Sequence, residues 1–146
     1  VDRGVWARLG AAELLPSLVL RDGAWRAEIF EVRRQVDTLI GELAVRRATA
    51  RDVAALRQQV AAVRVGSDAG QVQLADAEFH RTLARATGNR VYLLMTNTLL
   101  GGHLPVRQAL ARPFQDAAAA ADRLHPLAEA VAAGTRTPPA GPWRPT

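Results

Sequence analysis

Apolar residues recur along this chain at spacings of three and four, and strand-like alternation is almost absent. A three-four spacing lays one apolar stripe along an α-helix, whereas a half-buried strand needs a period of two. The pattern therefore predicts an all-α fold. From Ala27 to Arg47 the stripe is Ile29, Val32, Val36, Ile40 and Leu43. Thr49 reads as the N-cap of the next helix, with Asp52 placed to favour the dipole of its first turn. That helix puts Val53, Leu56, Val60 and Val63 on one face, and Gly66, Ser67, Asp68 and Gly70 form a polar connection. A third helix is expected from Val72 to Thr87 with Val72, Phe79, Leu83 and Ala86 inward, closed by Gly88. Asn89 starts a fourth, which carries Val91, Leu94, Met95 and Leu99 and is broken or kinked by Gly101, Gly102 and Pro105. A fifth stretch runs from Phe114 to Ala133, with Pro126 as an irregularity inside it.

The expected organisation is a linker over residues 1–25, a helical domain over 26–134 and a disordered proline-rich tail over 135–146. With 146 residues the chain can bury one proper core. It contains no Cys, which excludes disulfides and thiolate metal sites. Neither a signal peptide nor a bilayer-spanning apolar run is visible, so a cytoplasmic location is expected. The formal charge is +5, and all nineteen basic residues are Arg. They are spread along the chain, which reads as a solvated surface and not as a phosphate-binding face. No phosphate loop, dinucleotide-binding glycine pattern or nucleophile context appears. The three Trp residues are scattered, and His103, after two glycines, reads as a loop or surface histidine.

The residues able to carry chemistry are few. Asp76 and His80 lie four apart, so they share one side of the third helix. They point roughly 40° and 80° from Val72, toward the edge of the apolar stripe. A carboxylate and an imidazole there need either each other or a cation. Two readings stay open: a hydrogen-bonded pair with His125 an unrelated surface residue, or a divalent metal site with His125 as a third ligand. Arg33 and Asp37 repeat the spacing on the first helix, as an ion pair or as a guanidinium fork aimed at a carboxylate ligand.

At this point the chain resembles a known family. Glu31, Arg33 and Asp37 stand in EIFEVRRQVD; Asp76, Phe79, His80, Gly88 and Asn89 in DAEFHRTLARATGN; His125, Ala130 and Gly134 in HPLAEAVAAG. These segments resemble the FadR-type C-terminal (FCD) domain of GntR-family transcription regulators, over roughly Ala27 to Gly134. The resemblance implies an antiparallel helical bundle that senses an effector and alters operator binding. It implies that Asp76, His80 and His125 bind a divalent metal, with Zn the expected ion. It also implies that Arg33 contacts a small carboxylate effector, and that the protein is a homodimer. Two departures accompany it. The family's last helix, with a final His ligand, is expected after Gly134, where a proline-rich text stands instead. Of the winged helix-turn-helix that precedes the domain, only Arg3, Gly4, Val5 and Trp6 resemble the end of the wing. DNA contact is therefore expected only through an absent domain, and no residue here is assigned to it. The alternatives are a stand-alone metal-dependent enzyme and a truncated regulator without function.

Overall fold

A computed structural model describes residues 23–101 and 111–135. The expected linker before residue 23, the tail after residue 135, Gly102, Pro105 and His103 lie outside the described residues. Within them are five α-helices: α1 Gly23–Arg47, α2 Ala50–Arg64, α3 Ala69–Ala86, α4 Arg90–Gly101 and α5 Ala117–Thr135. A short 3-10 turn, Arg112–Phe114, precedes α5. No strand occurs among the described residues, so the fold is the all-α helical bundle that the spacing predicts.

Local chemistry fixes most of the helix ends. Thr49 and Asp52 form a reciprocal capping box at α2, each side chain accepting from the other residue's backbone N–H. Asp68 caps α3 by accepting from the Gln71 N–H. Asn89 and Asp116 accept from Val91 and Ala119 at the starts of α4 and α5. After α3, Gly88 takes a φ of 70°, the left-handed turn that ends a helix and that L side chains rarely adopt. Pro126 lies inside α5, which nevertheless continues unbroken to Thr135.

Cross-links between helices give their directions. Arg57 pairs with Glu129 and Arg64 with Asp122, so α2 and α5 run antiparallel. Arg81 donates to Asn97, as expected of the antiparallel α3–α4 hairpin. By contrast, Asp37 meets His80 and the Arg47 guanidinium donates to the Thr87 carbonyl, so α1 and α3 run parallel. Helices α3 and α5 lie between α1 and α2, and α4 covers α3 and α1. Ile40, Leu56, Val63, Val72, Phe79, Leu83 and Val131 fill the centre, each essentially excluded from water. The end of α5 approaches α1 closely at Gly134, where a Cβ would run into the Val45 carbonyl.

One expectation about facing needs correction. Val32 is half exposed, although it falls on the α1 stripe. On α4 Val91, Leu94 and Met95 are exposed, while Thr96 and Leu100 are buried. Apolar side chains encircle α4, so the three-four spacing fits more than one face and cannot select between them.

Candidate functional site

Helix α1 carries Arg33 and Asp37, and α3 carries Asp76 and His80, each pair one turn apart. Because α1 and α3 are parallel, the two pairs come together in register. Asp37 lies level with His80, and Arg33 lies level with Asp76, since both offsets are 43 residues (80 − 37 and 76 − 33). The result is a square of alternating character at the α1–α3 interface. Arg33 Nε is 3.4 Å from Asp37 Oδ2. His80 Nδ1 is 3.9 Å from the same Asp37 oxygen, and His80 Nε2 is 3.7 Å from Asp76 Oδ2. The two residues on α3 are the most enclosed, with side chains 14% and 13% exposed for His80 and Asp76. The neighbouring Phe79, fully buried, meets the imidazole edge to face and fixes one side of the ring.

Burial dominates the electrostatics. Asp76 is pushed up to about 6, chiefly by loss of water and in small part by the Asp37 charge, while Arg33 and Arg123 pull it down. Asp37 is also raised by burial, against the attraction of Arg33. A carboxyl held this way changes charge more readily than a surface carboxylate and can either accept or donate a hydrogen bond near neutral pH.

The structure brings Arg33, Asp37, Asp76 and His80 together, but it does not bring His125 to them. His125 is exposed on α5. Its neighbours one turn away on that flank, Asp122 and Glu129, pair with Arg64 and Arg57 of α2. The α5 residue that acts on Asp76 is Arg123. Two residues along an α-helix is a rotation of about 200°, so His125 lies on nearly the opposite side of α5 from Arg123. The adjacent buried position belongs to Leu124, which has no metal-binding atom. The sequence spacing of α5, rich in Ala, did not fix its rotation. Arg123 and His125 flank Leu124 on opposite sides, each about 100° away, so phasing the helix on Leu124, Ala128 and Val131 selects neither.

The donor set can be tested against a metal. Two ligands of one tetrahedral ion stand about 3.4 Å apart, and the 3.7 Å between His80 Nε2 and Asp76 Oδ2 is near that spacing. Asp37 faces the other ring nitrogen, so the three groups form a chain across the imidazole and do not converge on one point. Among the described residues no group of three or more His, Cys, Asp or Glu side chains is placed to hold a metal ion. The residues fit a two-donor cation contact and do not fit a three-ligand centre.

Acid, imidazole and guanidinium groups thus meet at a helix–helix interface of an all-α bundle. The FCD domain model matches residues 28–137, which is 110 of the 146 residues, and the chain belongs to that family. FCD domains are the ligand-sensing domains of GntR-type regulators. No curated protein and no solved structure matches the chain. Among the described residues no helix is long and apolar enough to cross a membrane.

Proposed function

We propose that this domain senses a small organic acid at the α1–α3 site and, joined to a DNA-binding domain in a homodimeric GntR-family regulator, changes operator affinity. The observation that carries the proposal is the registered square of Arg33, Asp37, Asp76 and His80, enclosed yet made of groups that water would otherwise solvate. Arg33 offers a planar fork of donors that suits a carboxylate. Its present partner, Asp37, is disfavoured in its charged form by burial, so an incoming carboxylate competes with a weakened rival. His80 and Asp76 supply a donor or acceptor to the rest of the ligand. Binding pulls α1 and α3 together, which favours one arrangement of the bundle over another. The exposed apolar stripe Val91, Leu94 and Met95 on α4 supports a contact with a second copy.

Calorimetric titration with small organic acids tests the reading. Binding should be measurable with the native chain and at least tenfold weaker in Arg33→Ala, a loss of about 1.4 kcal/mol. Equal affinity in both would remove Arg33 from the site. In a full-length regulator the same acid should change operator affinity, and Arg33→Ala should blunt that response.

A second reading is favoured by the 3.7 Å spacing alone: a divalent cation, Zn²⁺ by expectation, shared by Asp76 and His80. Elemental analysis of the purified chain beside an Asp76→Ala, His80→Ala double variant tests it. Equal metal content in both would exclude that cation site.

A further inference from the structure

We infer that Met95 is an oxidation-sensitive site on α4, and that its conversion to the sulfoxide by a hydroperoxide releases the contact between two copies of the chain. The redox role rests on the proposed reading of this domain as a homodimer paired through α4, and it adds the chemistry that undoes the pairing.

Helix α4 has two unlike faces. Thr96 and Leu100 are buried against the bundle. On the far side Val91, Leu94 and Met95 are 59%, 66% and 37% exposed. The helical rotation puts Val91, Leu94, Met95 and Thr98 within one arc of roughly 100°, opposite Thr96 and Leu100. Thr98 brings no unmet polar group to that arc, because its hydroxyl donates to the Leu94 carbonyl at 3.0 Å. A contiguous apolar face of this kind marks a contact surface.

Charge names a second copy as the occupant. The chain carries a formal charge of +5, and α1, α2, α3 and α5 each bear several acidic and basic side chains. Beyond Arg90, α4 holds no Asp, Glu, Lys, Arg or His. Two positively charged copies repel least where they meet along an uncharged surface, and a two-fold axis sets that face against itself.

The chain has no Cys and one Met, so its single sulfur atom stands in this stripe. A thioether packs as an apolar group, whereas its sulfoxide is polar and disrupts apolar contacts. A sulfur lone pair attacks one oxygen of hydrogen peroxide. An S–O bond forms and the O–O bond breaks. The departing hydroxide takes the proton from the transferred oxygen and leaves as water. Sulfur is oxidised, peroxide is reduced, and no other reactant is needed. In a two-fold pair each copy brings one sulfoxide into the contact, where it loses water without gaining a partner.

The test is sedimentation equilibrium of the whole chain before and after hydrogen peroxide, with mass spectrometry locating the added oxygen on Met95. The native chain should dimerise, and oxidation should raise its dissociation constant about tenfold or more. Methionine sulfoxide reductases should restore the native value. Met95→Leu keeps the face apolar without sulfur, and should pair equally well before and after peroxide. Leu94→Glu places a charge in the stripe and should abolish pairing. Circular dichroism melting checks that the oxidised chain and both variants fold. If oxidation leaves pairing unchanged, or weakens Met95→Leu equally, the redox role is overturned while the α4 contact stands on the Leu94→Glu result. A native chain that stays monomeric, or a dimer indifferent to Leu94→Glu, removes the α4 contact and this inference with it.

Discussion

Replacing Asp76 by Asn should stabilise the domain at neutral pH, and the size of the effect follows from the burial of that one carboxyl. In the folded chain Asp76 keeps its proton up to about 6, against 3.8 in its absence of burial. Below pH 3.8 both states hold the proton and the group contributes no difference. As the pH rises from 3.8 to 6 the unfolded chain ionises first, so unfolding becomes easier. Above 6 both states are ionised and the penalty is constant. A shift of about two units corresponds to about 3 kcal/mol, and the opposing pull of Arg33 and Arg123 is already contained in it. Asparagine keeps the shape and cannot ionise. Urea unfolding followed by circular dichroism should therefore show Asp76→Asn nearly equal to the native chain at pH 4. At pH 7.5 it should be more stable by up to about 3 kcal/mol. A variant less stable than the native chain at pH 7.5, or a difference independent of pH, would refute the reasoning. Either result would mean that the neighbouring guanidinium groups outweigh desolvation.

Other consequences are more local. Gly134→Ala forces a methyl group into the Val45 carbonyl, so α5 must shift off α1, and a loss of about 1–3 kcal/mol is expected in thermal or urea unfolding. Thr49→Ala removes half of the α2 capping box and should cost about 1 kcal/mol in the same assay. His125→Ala should leave both organic-acid affinity and metal content unchanged in calorimetry and elemental analysis, because that side chain faces solvent beside α2.

How much of this was legible in the sequence depended on how sharply each helix is amphipathic. The stripes of α2 and α3 interrupt polar residues clearly, so Val53, Leu56, Val60 and Val63, and Val72, Phe79 and Leu83, all face the core as their spacing predicts. The phase of α3 also placed Asp76 and His80 at the edge of the interior, where the structure has them. Capping residues such as Thr49 and Gly88 announced their helix ends because they act within one turn. The inward face of α4 was not legible because its apolar residues surround it, nor that of α5 because alanine marks the core and the surface alike. His125 entered the expected site through the family resemblance, and the spacing of α5 selects neither His125 nor Arg123. The parallel register of α1 on α3, which turns two separate pairs into one site, is a tertiary fact. No spacing within either helix encodes it.

The proposed site requires that His80, and not His125, lie beside a bound acid. The direct measurement is an NMR titration of the native chain with succinate, following the ring resonances of His80 and His125, assigned by His→Gln variants. His80 should shift along a saturable curve while His125 stays in place. Movement of His125 with His80 unmoved, or no saturable movement of either ring, would contradict it.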